Sequence, residues 1–307
     1  MKVILLLILA STAFAGEKML IPQITADWWT IAGSPDLGEF TSDKQQPVDF
    51  AVWQVGDGTW QLWSCIRGTK CGGNTRLLHR WEGKQLTDPN WKPMGIAMQA
   101  DPKLGETPGG LQAPHVIKHD GLHYMFYGDW DHICLAISKD GKAFQRRVYP
   151  NGKTGMFTEG IGFNTRDPMV IRVGGKWHCY YTAYPDEKGA VYCRTSSDMV
   201  SWSESKVVAF GGSAGTGKFS AECPFVIKRG EYYYLFRTQH YGENAQTSVY
   251  RSKDPLNFGI EDDKYLVCTL PVAAPEIIQH DGKYYIACLL PSLKGIRIAS
   301  MNWVKKQ

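Results

Sequence analysis

Short runs in which apolar and polar residues alternate follow one another along the chain, and Gly, Asp or Pro separates each run from the next. The runs at 114–118 and 123–128 illustrate the pattern, with the turn His119-Asp120-Gly121 between them. These runs are rich in Val, Ile, Tyr, Phe and Trp, which favour β-strands, and no stretch combines helical spacing with helix caps. The pattern predicts an all-β protein whose strands are joined by tight turns.

One unit of this pattern recurs through the chain. Each copy pairs a short apolar run with an aromatic-rich run, and a Gly-containing turn lies between the two. The five copies begin at Asp49-Phe50-Ala51-Val52, Ala113-Pro114-His115-Val116, Asp167-Pro168-Met169-Val170, Cys223-Pro224-Phe225-Val226 and Ala274-Pro275-Glu276-Ile277. The four prolines stand 54, 56 and 51 residues apart, and a period of this length is typical of propellers. We therefore predict a five-bladed β-propeller with four-stranded blades.

The repeats are continuous from Asp49 to nearly the end of the chain. No Pro/Ser-rich linker or block of like charges interrupts them, so a single domain is expected. The last copy falls one strand short of a full blade, and an unpaired strand edge invites aggregation. We expect residues 19–24 to supply the missing strand.

The first fifteen residues have the parts of a secretory signal peptide. Lys2 provides the positive region, residues 3–10 an apolar stretch, and Ala13-Phe14-Ala15 a small-x-small cleavage site. The apolar stretch is too short to cross a bilayer. We expect residues 1–15 to be removed and residues 16–307 to form the propeller, secreted or in the periplasm.

Charge and cysteine spacing narrow the range of partners. The 34 basic and 30 acidic residues give a net charge of +4 and are scattered, which argues against nucleic acids and membranes as partners. The eight cysteines include no Cys-x-x-Cys and no Cys/His spacing typical of zinc sites. Two pairs flank turns, Cys65 with Cys71 and Cys179 with Cys193, and each is a candidate disulfide in an exported protein.

Acidic residues stand at the start of three of the five copies. Asp49 and Asp167 open theirs, and Glu222 stands one place before the fourth copy. The innermost strands of a propeller surround its axis, so residues at their starting ends converge at one mouth of the channel. Like charges held close together drive their pKa values apart, and glycosidic cleavage requires carboxyl groups in opposed protonation states. A lone Asp at a strand start is often a turn former, but acids in three blades predict a glycoside hydrolase.

The order of these motifs resembles glycoside hydrolase family 43, whose members are five-bladed propellers and share their architecture with families 32 and 68. The resemblance rests on Asp49, Ala113-Pro114-His115-Val116, Arg166-Asp167-Pro168 and Glu222-Cys223-Pro224, and it extends to Trp303. It implies an inverting catalytic domain in which Asp49 is the general base and Glu222 the general acid. Asp167 would tune pKa and orientation, keeping Glu222 protonated through its negative charge.

Two departures from the family 43 pattern leave alternatives open. Arg166-Asp167-Pro168 with Glu222-Cys223 also resembles family 32, whose members retain configuration and use the first Asp as nucleophile, although that family's Asn-Asp-Pro-Asn run is absent here. Family 43 members usually carry a His at the fifth-blade channel position, where this chain has Ala274 and Glu276. No cofactor is expected to be required. A central calcium ion lacks support in the sequence, and no residue is predicted to bind a metal.

The resemblance implies a substrate among plant or algal polysaccharides and oligosaccharides, with arabinose- or xylose-type glycosides favoured. The alternatives are a retaining enzyme like family 32, with Asp49 as nucleophile, a non-catalytic carbohydrate-binding propeller, and a propeller that binds proteins through its outer face. Acids in three separate blades favour an enzyme over a binding module. We expect a monomer whose partner is a carbohydrate.

Aromatic rings stack on the C–H faces of sugars, and polar side chains bind their hydroxyl groups. The candidates for binding the sugar are Trp53, Gln112, His115, Trp130, Arg166, Arg237 and Tyr241. By contrast, Tyr124, Tyr180, Tyr233 and Tyr285 recur at equivalent strand positions and are expected to pack between blades. Glu159, in a Gly-rich loop, is the next candidate for the acid if Glu222 does not fill that role.

Overall fold

Antiparallel β-sheet makes up nearly all the regular structure of the protein. The computed structural model describes residues 19–306, so the expected signal peptide at 1–15 lies outside the described residues. The strands are β1 (Leu20–Ile24), β2 (Trp29–Gly33), β3 (Gln46–Gln54), β4 (Trp60–Arg67), β5 (Leu77–Gly83), β6 (Lys92–Met98), β7 (Gln112–His119), β8 (Leu122–Gly128), β9 (Ile133–Ser138), β10 (Gln145–Arg146), β11 (Gly155–Phe157), β12 (Arg166–Val173), β13 (Lys176–Ala183), β14 (Ala190–Ser196), β15 (Lys206–Ala209), β16 (Glu222–Arg229), β17 (Tyr232–His240), β18 (Gln246–Ser252), β19 (Leu266–Leu270), β20 (Glu276–His280), β21 (Lys283–Leu289) and β22 (Gly295–Lys305).

Helical structure within residues 19–306 is confined to single 3-10 turns. These are Gly38–Phe40, Pro102–Leu104, Pro185–Glu187, Gly212–Ala214 and Gly242–Asn244. None of them has the length or apolar character needed to span a bilayer.

The strands form five sheets that are arranged around one axis. The sheets are β3–β6, β7–β11, β12–β15, β16–β19, and β20–β22 with β1 and β2. The innermost strands β3, β7, β12, β16 and β20 each contact the innermost strand of the next sheet, and β20 returns to β3. The predicted five-bladed β-propeller is therefore confirmed.

The N-terminal strands close the ring by completing the last blade. Strand β1 pairs with β22, with Leu20 opposite Lys305 and Ile24 opposite Met301, and β2 pairs with the other part of β22. The expectation that residues 19–24 supply the missing strand is confirmed. Joining the two ends of the chain in one sheet leaves no gap between the first and last blades.

Aromatic side chains fill the spaces between blades, as predicted for the repeated tyrosines. Tyr180, Tyr233 and Tyr285 are buried, and Tyr124 packs against the core cluster of the second and third blades. Burying a side chain of this size contributes about 1.5–3 kcal/mol each. The packing of these aromatic side chains therefore largely determines the distance between neighbouring blades.

The two disulfide hypotheses are wrong. All eight cysteines carry free thiols. In the β13–β14 ladder Cys179 is opposite Arg194 and Cys193 is opposite Tyr180, so the two cysteines are one position out of register and face opposite sides of the sheet. The two cysteines lie symmetrically about the turn in the sequence, but this symmetry does not show that they are one position out of register in the sheet.

A backbone irregularity recurs in all five innermost strands or at their starts. Positive φ angles are found at Asp49 (41°), Ala113 (37°), Asp167 (56°), Cys223 (47°) and Ala274 (50°). In the first four blades the strand pairing shifts register at this point. A left-handed conformation costs a non-glycine residue about 1–2 kcal/mol, so its recurrence shows that the blade geometry imposes it. Such bulges redirect side chains and are common beside active sites.

Candidate active site

The bulged position of every blade lines a single pocket on the propeller axis. Its walls are Asp49, Phe50, Ala113, Pro114, Asp167, Pro168, Cys223, Pro224, Ala274 and Glu276. Two of the five equivalent positions therefore bring carboxyl groups into the pocket, one brings a thiol, and two bring only a methyl group. The acids share one mouth of the channel because they occupy the same place in the repeat.

The residues immediately before the bulge form a second set around the pocket. Arg166 and Glu222 begin adjacent innermost strands, and the Arg166 guanidinium donates from both Nε (3.1 Å) and Nη2 to Oε1 of Glu222. Its Nη1 donates to the carbonyl of Asn164 at 2.9 Å, and its Nε lies 3.8 Å from Oδ2 of Asp167. The buried Arg166 therefore links Glu222 to Asp167.

Cys223 is the hub that joins the acids of the pocket. Its backbone N–H donates to Oδ2 of Asp167 at 3.0 Å, and its thiol donates to Oδ1 of Asp49 at 3.2 Å. The hydroxyl of Tyr241 lies 3.2 Å from the same sulfur. Burial, together with the neighbouring charges of Asp167 and Asp49, raises the pKa of the Cys223 thiol well above its usual range. The thiol is therefore a protonated donor to Asp49.

The electrostatic surroundings of Asp167 change its pKa. Burial raises its pKa to about 7, with a further contribution from the charge of Asp49, while Arg166 opposes the shift. Below that pH the proton resides on Asp167.

The raised pKa of Asp167 predicts a pH-dependent loss of stability. An acid with a higher pKa in the folded than in the unfolded state makes the folded state bind more protons, so stability falls as pH rises from about 4 through about 7. Asp167→Asn removes this titration. The difference in Tm between variant and wild type, taken as variant minus wild type, should therefore increase by on the order of 5 °C between about pH 4 and about pH 8. Thermal unfolding at both pH values tests this. A difference in Tm that does not change with pH would contradict it.

Tyr241 and Gln112, both predicted to bind sugar, lie next to residues that line the pocket. Tyr241 reaches Cys223, and Gln112 begins β7 one place before the bulge. Gln112 is buried, and neither its Oε1 nor its Nε2 has a hydrogen-bond partner among the described residues. Buried amides are nearly always paired, so Gln112 is available to a water or a sugar hydroxyl. Trp130 is partly exposed and lies under the Arg76 guanidinium, 5.2 Å from its ring.

Trp53, His115 and Arg237 do not line this pocket. Trp53 packs against neighbouring aromatic rings and donates from Nε1 to the carbonyl of Gly141. His115 lies deeper in the channel with Nε2 3.3 Å from the carbonyl of Val170, and burial lowers its pKa to about 4. Arg237 donates all its hydrogen bonds to carbonyls of the loop before β16.

The alternative acid Glu159 also lies outside the pocket. Its carboxylate accepts hydrogen bonds from Tyr181 (2.6 Å), Arg194 (2.7 Å) and Ser205 (2.8 Å). These three hydrogen bonds hold the Glu159 side chain in place, so Glu159 has a structural role within the third blade.

In residues 19–306 no group of three or more His, Cys, Asp and Glu side chains is arranged to hold a metal. Calcium takes six to eight oxygen ligands. Beyond the acids of the mouth, the deeper channel offers the carboxyl of Glu276, whose pKa burial raises well above its usual range, among mostly apolar neighbours.

The family model described as "Glycosyl hydrolases family 43" matches residues 77–269, more than half of the chain. The chain belongs to this family. Membership confirms the predicted family and places the chain among the glycoside hydrolases. The matched segment contains Asp167, Cys223 and Glu222, and Asp49 precedes it.

Solved structures of family 43 proteins share the fold. A thermostable family-43 glycoside hydrolase superposes with a TM-score of 0.63 and 18% identity, covering 90% of this chain and 93% of its own. An exo-1,5-α-L-arabinanase from a bovine ruminal metagenomic library gives a TM-score of 0.62 and 18% identity, with 85% and 94% covered. At these identities the likeness concerns the fold.

One curated relative is similar to part of the chain. The probable sucrose-6-phosphate hydrolase of Vibrio cholerae is 23% identical over 193 residues, which cover 57% of this chain and 32% of the relative. The chain thus matches about a third of the length of that relative.

Proposed function

We propose that this family 43 propeller is a secreted, inverting glycoside hydrolase that acts on arabinose- or xylose-type glycosides of plant or algal polysaccharides. The observation that carries the proposal is the convergence of Asp49, Asp167 and the Arg166–Glu222 pair around one pocket. A sugar-binding module does not need carboxyl groups with such different surroundings. The choice of sugar is supported by the arabinanase among the family's solved structures.

Asp49 suits the role of general base. Its Oδ1 accepts the Cys223 thiol, which fixes the carboxylate in the pocket and leaves Oδ2 to accept a proton from water. No hydrogen bond joins Asp49 to Glu222 in the described part of the chain, and Cys223 and Asp167 lie between them. For an inverting pair we expect about 6.5–9.5 Å between the two carboxyl groups, because the attacking water must fit between base and sugar.

Glu222 suits the role of general acid. Both hydrogen bonds from Arg166 end on its Oε1, so Oε2 is the oxygen that can carry the proton to the glycosidic oxygen. Arg166 fixes the direction of that transfer. The buried Oδ1 of Asp167 has no partner among the described residues and is available to a sugar hydroxyl.

A retaining reaction with Asp49 as nucleophile is the second candidate, and the resemblance of Arg166-Asp167-Pro168 with Glu222-Cys223 to family 32 favours it. Screening aryl arabinosides, xylosides and fructosides first identifies the sugar that is cleaved. NMR of the first-formed anomer then decides between the two mechanisms. Inversion supports Asp49 as base, and retention shows that Asp49 forms a covalent intermediate. Absence of hydrolysis across the panel, with sugar binding intact, would support the binding module.

The Tyr241–Cys223–Asp49 contacts predict a measurable effect on the base. Tyr241→Phe and Cys223→Ala each remove one hydrogen bond from the chain of contacts that orients Asp49. We expect each substitution to lower kcat/KM by about tenfold. Each should also shift the acidic limb of the pH profile of kcat/KM. The double variant should lose less than the product of the single effects, because the two groups act through the same contact.

A tyrosine outside the pocket provides the control for this experiment. Tyr180 is buried and its hydroxyl donates to the carbonyl of Pro255. Tyr180→Phe should leave the pH profile unchanged. If it shifts the profile as much as Tyr241→Phe does, the contact with Cys223 has no special role.

Secretion is proposed from the sequence of residues 1–15 alone. Mass spectrometry of the protein exported from its natural host should find an N-terminus at Gly16. A mature protein that begins at Met1 would overturn the proposal.

A further inference from the structure

Large apolar side chains are exposed on two loops beside the pocket. Ile161 is 72% exposed, Phe163 37% and Phe219 57%. The first two precede β12, which begins with Arg166, and Phe219 precedes β16, which begins with Glu222. Three of the five exposed large apolar side chains within residues 19–306 therefore lie on the loops that lead into the candidate acid and its arginine.

A continuous series of contacts connects the pocket with these side chains. The Arg166 guanidinium, which holds Glu222, lies over the Tyr184 ring at 5.1 Å. The Tyr184 ring meets Phe219 edge to face, with centroids 6.1 Å apart, and the backbone N–H of Tyr184 donates to the carbonyl of Phe163. The exposed rings are therefore connected to the Arg166–Glu222 ion pair through Tyr184.

The backbone of the Phe219 loop is fixed in place. Arg237 donates to the carbonyls of Gly211 (3.1 Å), Gly215 (2.7 Å) and Ser220 (2.7 Å), and Thr182 donates to the carbonyl of Ala221. Arg237 itself is buried. An exposed ring on a held loop loses little conformational entropy when a ligand covers it.

The charges next to this surface are already paired. Lys218 lies over the Tyr184 ring at 4.4 Å and pairs with Glu187 at 2.8 Å, and Arg166 pairs with Glu222. The exposed Phe163 and Phe219 rings therefore lie beside charges that are already paired, which suits the C–H face of a neutral sugar rather than a uronate.

We propose that Phe219 and Phe163, supported by the buried Tyr184, form the subsite for the leaving-group sugar. The proposal rests on the proposed function. A general acid must reach the oxygen of the bond that breaks, so the released sugar lies on the Glu222 side of the pocket. The Phe219 surface occupies that side, and its ligand is an uncharged sugar unit of an oligosaccharide.

Two substrates that differ only in the leaving group test the proposal. One is an oligosaccharide of the sugar found in the panel, and the other is the glycosyl fluoride of the same sugar, whose leaving group is a single atom. Phe219→Ala should lower kcat/KM for the oligosaccharide about tenfold and change that for the fluoride by less than about twofold. Phe219→Trp should restore the oligosaccharide rate.

Val148→Ala is the control, since Val148 is also an exposed apolar residue, at 48%, but lies in the second blade, beyond β10. It should change neither rate. Equal losses on both substrates for Phe219→Ala, or no loss on either, would overturn the subsite. If wild type hydrolyses neither substrate, the proposed function fails, and calorimetric binding of the oligosaccharide decides the subsite separately. Binding about tenfold weaker in Phe219→Ala supports the surface as a sugar platform, and unchanged binding overturns it.

Discussion

Asp49→Asn is expected to lower kcat by at least about a thousandfold for every substrate, whatever its leaving group. The amide oxygen of asparagine can still accept the Cys223 thiol at the position of Oδ1, so the pocket keeps its shape. An amide cannot take a proton from water, so the attack step loses its base. Because that step precedes or accompanies departure of every leaving group, activated fluorides should be affected as strongly as oligosaccharides.

The measurement is kcat on an oligosaccharide and on a glycosyl fluoride of the same sugar, with thermal unfolding to show that the variant folds. Asp43→Asn offers a matched control, because Asp43 is an exposed loop residue close in sequence. It should retain kcat within about twofold. Retention of more than about a tenth of wild-type kcat by Asp49→Asn would exclude Asp49 as the base.

The repeat explains why so much of the site could be predicted from the sequence. Asp49 and Asp167 occupy equivalent positions, and the blade geometry turns both into the pocket through the same positive-φ bulge. Periodicity alone therefore located them. Cys223 stands at the same position in the fourth blade, so the repeat also indicates that it lines the pocket. The sequence analysis assigned a role only to the preceding residue, Glu222.

Side chains outside the repeated position could not be placed in this way. Trp53 lies four residues after Asp49 on the same strand, yet its ring packs between blades, because its neighbours are side chains of strand β4 and of the loop at Gly141. Arg237 is directed by carbonyls of a loop more than fifteen residues away along the chain. Such long-range contacts depend on the folded structure, and a local pattern does not contain them.

Arg166 shows how the fold changes the expected electrostatics. The sequence suggested a hydrogen-bonding role towards the sugar, whereas the structure buries the guanidinium between Glu222, Asp167 and Tyr184. A buried arginine with two acids nearby is held by strong, directed hydrogen bonds. Arg166 therefore orients Glu222. It also contacts Tyr184, which supports the leaving-group surface.

Glu222→Gln is expected to separate substrates by leaving group. Hydrolysis of an oligosaccharide should fall by about a thousandfold, because an alcohol leaves poorly without a proton. Fluoride needs little protonation, so its release should fall by less than about tenfold. The amide oxygen of glutamine can still accept the hydrogen bonds of Arg166 at Oε1, which keeps the change confined to proton donation.

Glu159→Gln is the matched control for this experiment. Glu159 is also a partly buried glutamate that pairs with an arginine, Arg194 at 2.7 Å, but it lies outside the pocket. Its substitution should lower stability without distinguishing the oligosaccharide from the fluoride. If Glu222→Gln slows both substrates equally, Glu222 positions the sugar and is not the acid. If Glu159→Gln instead shows the selective loss, the proton comes from the third blade, because only the donor of that proton makes the rate depend on the leaving group.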